Sequence, residues 1–455
     1  MTRSMTEGRP LPLILQFAVP LLIGNLLQQT YNIIDAAIVG RILGADALAG
    51  VGASSSVQFL VLGFCIGICC GFGIPIARSF GAQDYDKMRS DIFHGMALTG
   101  IFAVALTVLC AVLCPQILHL LSTPEDIYAN AYQYLFIIFL GIPFNLLYNL
   151  MSGIFRSVGD SRTPFIFLAF STVLNIGLDL FFILALHLGC AGAAAATVIA
   201  QAASGTLCFI YMRKKMPILR LNRQDCCLDG DTVKMMLSMG LPMGLQYSIT
   251  AIGSMVMQSA NNGLGSIYVS GFTAGMRIKQ FAMCPFDALA TGVSVFCSQN
   301  LGAGKMQRIK TGIRQGTVIG ILYGLFAGLV IIFFGRTLSL LFISGENKEV
   351  LDASAKYLRC MGYFYWSLGI LNVCRMCTQG LGFSGRVVFA GLLEMVARCV
   401  VSLCFVPVFG FTAICFADQS AWLSACFYIV PTCLHCVKLC EKSVGGSSDA
   451  VRSGG

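Results

Sequence analysis

From its first tens of residues to about residue 437 the chain alternates long apolar runs with short polar breaks. Runs long enough to cross about 30 Å of hydrocarbon as helix fall near 12–37, 50–77, 92–114, 129–153, 164–186, 190–212, 235–260, 267–297, 312–334, 353–376, 385–406 and 412–437. The pattern predicts an all-α integral membrane protein of about 12 transmembrane helices. The first run follows a basic start, as a signal peptide would. It is interrupted by Pro12 and Pro20, is long enough to span, and ends without a small-residue cleavage site, so it reads as the first retained helix.

The polar breaks carry a second pattern. Basic residues gather at Arg3 and Arg9, then at Arg78, Lys87 and Arg89, and then at Arg156 and Arg162. They are densest at Arg213, Lys214, Lys215, Arg220 and Arg223, and return at Lys305, Arg308, Lys310 and Arg314, at Arg386, and at Lys438 and Lys442. The alternate breaks 115–128, 187–191, 261–266 and 407–411 hold no Lys or Arg; Arg41, Arg336 and Lys348 are the exceptions. Such alternation predicts a multi-pass protein of the cell membrane with both termini in the cytoplasm. The longest polar stretch suggests the organisation: an N-terminal six-helix lobe (1–212), a cytoplasmic linker (213–233), a C-terminal six-helix lobe (234–440) and a Gly/Ser-rich disordered tail (441–455).

The two halves also repeat one another. Leu43-Gly44, Gly50, Ala53 and Gly81-Ala82 meet Leu264-Gly265, Gly271, Ala274 and Gly302-Ala303 at a constant offset of 221 residues. Pro20 meets Pro242 after a one-residue slip, and at offset 223 Asn149, Gly159 and Ser161 meet Asn372, Gly382 and Ser384. With an even number of spans in each half, the repeats enter the membrane from the same side. They are therefore parallel, related by an axis along the membrane normal, as in alternating-access transporters with a cleft between two lobes.

Composition supports the membrane reading. Hydrophobic residues make up 56% and charged residues 11% of the chain, with a mean hydropathy of +0.79, against about 25% charged residues in a soluble domain. The net charge of +9 belongs to the breaks rather than to one stripe, so it argues for topology and against nucleic acid. Most of the 21 cysteines lie inside apolar runs, where Cys acts as a small hydrophobe. No zinc spacing, phosphate-binding loop or catalytic constellation is visible, so no enzyme and no cofactor is expected, and any driving force comes from an ion gradient.

Ionisable and polar groups within the runs are the candidates for chemistry. In the first half these are Asp35, near the end of the first run, and Asp179 one turn from Asn175, with Ser171 on the same face. Asn145 and Asn149 repeat the i, i+4 spacing, and Thr197 lies in an Ala-rich run. Two carboxylates with amide and hydroxyl oxygens suit a sodium ion, a buried Asp can take up and release a proton, and polar groups in bundles also cross-link helices by hydrogen bonds. In the second half Glu394 and Arg398 are spaced to pair, while Arg277 and Lys279, two apart, point to nearly opposite faces. Gln246, Lys279, Glu394 and Arg398 are the candidates for a substrate cleft.

Pro20-Leu21-Leu22-Ile23-Gly24-Asn25, Tyr31-Asn32-Ile33-Ile34-Asp35, Val39-Gly40 and Gly81-Ala82 resemble the first half of the multidrug and toxic compound extrusion (MATE) family. Gly240-Leu241-Pro242, Gln299-Asn300-Leu301-Gly302-Ala303-Gly304 and Gln379-Gly380-Leu381-Gly382 resemble its second half, so the resemblance covers about residues 10–440. It implies a V-shaped pair of lobes and an antiporter that expels small organic, often cationic, compounds in exchange for H+ or Na+, expected here as a monomer. It also implies an ion site at Asp35, Asn149, Asn175, Asp179 and Thr197, with Na+ placed at Asp35, Asn175 and Asp179. Arg78 departs from the pattern that Gln299 keeps, and a cleft-facing Lys279 would disfavour cationic substrates. A lipid-linked precursor flippase of related fold is the alternative, and a non-transporting receptor or scaffold is a third.

Overall fold

A computed structural model describes residues 3–121 and 123–452. Among these residues the elements are helices α1 (Pro10–Ile38), α2 (Ala45–Gly81), α3 (Tyr85–Leu120), α4 (Glu125–Leu140), α5 (Ile142–Ser157), α6 (Arg162–Leu180) and α7 (Gly189–Lys215). Then follow α8 (Gly230–Asn262), α9 (Ser266–Gly302), α10 (Met306–Ser339), α11 (Lys348–Gly380), α12 (Ser384–Val400), the short α13 (Val406–Phe409) and α14 (Phe411–Arg452). Helix is what hydrocarbon demands, because it satisfies each backbone N–H and C=O within its own segment. Nine helical stretches among the described residues are long and apolar enough to cross a membrane, and the α4–α5 pair, bent by 48°, makes a tenth. The other two predicted spans lie on α8 and α11, each 33 residues long and more polar.

The predicted span 129–153 is broken rather than straight: α4 stops at Gly141, and α5 begins with Pro143 in its first turn. Proline lacks the N–H that would continue the ladder, so the bend falls there. At the repeat offset α11 carries Phe364 and Trp366 instead, and runs unbroken. Three π-helical turns, Val39–Leu43, Phe181–Ala185 and Val401–Phe405, lie two to four residues beyond Asp35, Asp179 and Arg398 respectively. Such turns are frequent near functional sites.

Two repeated glycine pairs have a clear physical reason. Gly44 and Gly265, which precede α2 and α9, hold φ of +91° and +106°, where a side chain is strained. At Gly50 an added Cβ would meet Asn130 Cβ at 2.9 Å, and at Gly271 it would meet Ala353 Cβ at 2.8 Å. Each lets a neighbouring helix, α4 or α11, approach as closely as small residues allow in membrane bundles.

The chain forms two compact units, and their limits differ from the predicted ones. The first comprises Ile23–Gly244 with the residues before Met5; the second comprises Met5–Leu22 and Leu245–Gly455. The stretch 213–233, expected to link the lobes, packs within the first unit. Leu219 is fully buried, Arg89 Nε donates to Asp225 Oδ2 at 3.1 Å, and the Asp229 N–H donates to His94 Nε2 at 2.9 Å. Asp229 caps α8, accepting from the Thr232 N–H and hydroxyl at 3.0 and 2.7 Å, and these bonds hold its carboxyl below the usual carboxylate range.

Residues Met5–Gly8 belong to the second unit because the Gln299-Asn300 motif binds them. Met5 N–H donates to Gln299 Oε1 at 2.8 Å, Asn300 Nδ2 donates to Met5 O at 3.2 Å, and Arg308 Nη1 donates to Gly8 O at 2.7 Å. The tail from 441, predicted disordered, instead continues α14 to Arg452, since each added residue of a formed helix gains a hydrogen bond; residues 453–455 lie outside the described ones.

Each unit has its own core. In the second, Tyr365 sits edge-on between Phe286 and Trp422. In the first, Phe72, Phe139 and Phe155 are fully buried. The faces turned outward are apolar as well, as at Val104, Val108 and Val112 of α3, the reverse of a water-soluble surface.

Candidate functional site

In the first unit, α1, α6 and α7 bring together most of the predicted ion-site residues. The Asp35 and Asp179 carboxyls interact with one another, and the Tyr31 and Tyr134 hydroxyls lie within electrostatic reach of both. Asn175 Nδ2 donates to Thr197 Oγ1 at 3.3 Å, and the Tyr31 hydroxyl stands 3.3 Å from the same oxygen. Thr197 in turn donates to Ala193 O at 3.2 Å, which fixes its rotamer. Asp179 is fully buried and Asn175 nearly so, whereas Asp35 and Thr197 are half-buried.

Four oxygens in this cluster are buried without a hydrogen-bond partner: Asp35 Oδ1, Asn175 Oδ1 and both carboxylate oxygens of Asp179. A buried carboxylate without donors or a counter-charge is costly. The arrangement therefore suits a proton or a hard cation, and the same oxygens fit the Na+ ligand preference. Asn149 does not join this group directly. Its Nδ2 donates along its own helix to Asn145 O at 2.9 Å and Asn145 Oδ1 at 3.1 Å, and Asn145 Nδ2 reaches Gln201 Oε1 at 3.3 Å, one turn along α7 from Thr197.

The second unit holds a different cluster. Lys279 Nζ (α9) lies 2.5 Å from Asp418 Oδ2 (α14), and Arg398 Nε (α12) lies 3.1 Å from Asp418 Oδ1. The Tyr357 hydroxyl (α11) donates to Asp418 Oδ2 at 2.9 Å, and the Lys279 ammonium also sits 5.4 Å from the Trp422 ring centroid. Arg398 Nη1 is 3.8 Å from Glu394 Oε2, the pairing that their spacing predicts, and Arg375 pairs with Glu394 Oε1. Gln246, the remaining cleft candidate, accepts from Gln379 Nε2 at 2.5 Å. All four cleft candidates are thus buried and engaged within the unit. In particular the Lys279 charge is neutralised by Asp418, which removes the reason to expect it to repel cations.

Sequence reasoning missed Asp418 and passed over Arg375. Both lie inside runs already delimited as spans, so the rule that singled out Asp179 applies to them equally. Tyr134 is not separable from ordinary apolar positions, because only the packing brings it to the carboxyls, whereas Tyr31 lies one turn before Asp35 on α1, the spacing that also groups Asn175 with Asp179.

The MatE family profile matches residues 20–181 and 242–404, one match in each half. The chain is 31% identical over 392 residues to the "Probable multidrug resistance protein YpnP" of Bacillus subtilis, covering 86% of this chain and 87% of that one. It is 28% identical over 389 residues to the "Probable multidrug resistance protein YoeA" of the same organism, covering 84% and 83%. Among solved structures, a MATE in the bent conformation superposes with a TM-score of 0.88 at 21% identity, over 97% of this chain and 98% of that chain. The outward-facing conformation of a multidrug resistance MATE family transporter of the MOP superfamily matches with a TM-score of 0.86 at 20% identity, over 97% of each chain. The matches in both halves, on a fold of membrane-spanning helices that these structures share, identify the chain as a member of the MatE family of multidrug and toxic compound extrusion transporters.

Proposed function

We propose that the protein exports small organic compounds across the cell membrane by antiport, with Asp35 and Asp179 of the first unit taking the coupling ion, H+ or Na+. The observation that carries this reading is the set of four unpartnered buried oxygens on Asp35, Asn175 and Asp179. Thr197 and Tyr31 orient the amide, and Asn149 acts one step removed through Asn145 and Gln201. Exchange follows when ion occupancy favours one conformation and substrate the other, so that each lowers the affinity for its counterpart. Both termini face the cytoplasm in this proposal, and a single chain is the working unit. The range of substrates is taken from the multidrug resistance proteins that the chain resembles. A precursor flippase would need free cationic groups for a pyrophosphate, whereas Lys279, Arg375 and Arg398 each engage a carboxylate.

The test is dye efflux from reconstituted vesicles under a pH gradient or a Na+ gradient imposed separately. Efflux driven by one gradient assigns the ion, and efflux indifferent to both refutes antiport. Asp179→Asn is expected to lower gradient-driven efflux to the rate of empty vesicles while insertion remains normal. Efflux at the wild-type rate in that variant refutes the ion site.

A further inference from the structure

A cavity of 440 Å³ lies at the basic end of α10, where Lys310, Thr311, Arg314 and Gln315 meet Leu11 and Val318. Its polar and apolar linings fall on different turns of the helix, so it matches an amphipathic ligand. Lys310 is already neutralised by Glu441, with Nζ 2.6 Å from Oε1. Arg314 is exposed and has no ion pair among the described residues. Gln315 Oε1 is buried and accepts no hydrogen bond. Among the described residues, Arg314 is thus a lining cation without an ion pair, and the Gln315 amide lies beside it in the lining with its oxygen unpartnered.

The apolar end does not stop at Val318. Leu322, Leu325, Phe326, Leu329 and Phe333 are all exposed, and their spacing of three and four residues puts them on the face that Val318 begins. In a membrane that face meets acyl chains, and the charged end lies at headgroup level. We propose that the cavity binds the headgroup of an anionic glycerophospholipid. Its phosphate faces Arg314, a headgroup hydroxyl meets the amide of Gln315, and its acyl chains follow the stripe from Val318. A choline headgroup has the phosphate but no hydroxyl, and it places a second cation beside Arg314.

The test is native mass spectrometry of the full chain released from bilayers containing equal phosphatidylglycerol and phosphatidylcholine. Phosphatidylglycerol is expected to be retained preferentially, and Arg314→Gln to lower that preference about five-fold, the value of one basic residue at an anionic surface. Arg314→Lys is expected to keep most of it. Arg336→Gln, on the last turn of α10 and paired with Asp352, is expected to change nothing. Equal retention of the two lipids by the wild type, or an unchanged preference in Arg314→Gln, overturns the proposal. Displacement of the lipid by millimolar inorganic phosphate also overturns it, in favour of a free-anion site. Where Arg314→Gln does not fold, the comparison moves to the wild type alone. Greater thermal stabilisation by phosphatidylglycerol than by phosphatidylcholine then supports the site, and equal stabilisation refutes it.

Discussion

Asp418 is the keystone of the second unit's ion cluster, and its loss should cost more than the loss of either cation. Lys279 Nζ and Asp418 Oδ2 are 2.5 Å apart, with side chains 8% and 1% exposed. At an effective dielectric constant of about 20 the gross attraction is about 7 kcal/mol, but burying the two ions costs several kcal/mol each. The net value of the pair is therefore small, and the cost of breaking it depends on what stays behind. In Lys279→Met, Asp418 keeps Arg398 at 3.1 Å and the Tyr357 hydroxyl at 2.9 Å. The expected loss is about 1–3 kcal/mol, the range for a buried polar group that loses one of several partners. In Asp418→Asn, Lys279 and Arg398 are left as neighbouring buried cations, and the expected loss is about 3–5 kcal/mol. The double variant should be less destabilised than the two single losses added together, because removing Lys279 relieves the repulsion created by removing Asp418. Equilibrium unfolding in mixed micelles, read by the fluorescence of the buried Trp422, measures all three variants. A larger loss in Lys279→Met than in Asp418→Asn, or strict additivity in the double variant, refutes the assignment of Asp418 as the shared anion.

Two further outcomes follow from the packing. Gly271→Val is expected to destabilise the second unit by at least about 1–3 kcal/mol of overpacking, because the added Cβ has Ala353 Cβ at 2.8 Å and Val350 O at 2.9 Å; unfolding at the wild-type denaturant concentration refutes the close approach. Arg89→Ala removes the bond to Asp225, so hydrogen exchange is expected to rise across 217–229 while α11 stays protected. Unchanged exchange in that stretch shows that its docking does not depend on the pair.

Much of this architecture was legible in the order of residues. The apolar runs located the helical stretches, because a backbone in hydrocarbon has almost no other way to satisfy itself. The glycine repeats marked the positions where the two halves share geometry, as Gly44 with Gly265 and Gly50 with Gly271 show. Asp35, Asn175, Asp179 and Thr197 were found because charge and amide groups stand out against apolar surroundings, and they converge. Asn149, a candidate by the same contrast and by its spacing from Asn145 as well as by resemblance, instead turns toward Asn145.

What the sequence could not show were relations between residues far apart in the chain. Lys279 alone looks like a free cation, and its charge is cancelled by a residue 139 positions away. The stretch 213–233 looks like a linker because it is polar, yet its polar groups find partners on α3. Likewise Met5–Gly8 falls within the N-terminal lobe by its place in the chain, and the Gln299-Asn300 motif fastens it to the second unit. Hydropathy is a property of each residue and its near neighbours, so the sequence by itself located the helical stretches, and the glycine repeats marked local geometry that recurs in the two halves. Pairing of buried charges depends on a few ångströms of side-chain placement between distant helices, so only the tertiary structure decided which charges are paired with one another and which are buried without a partner.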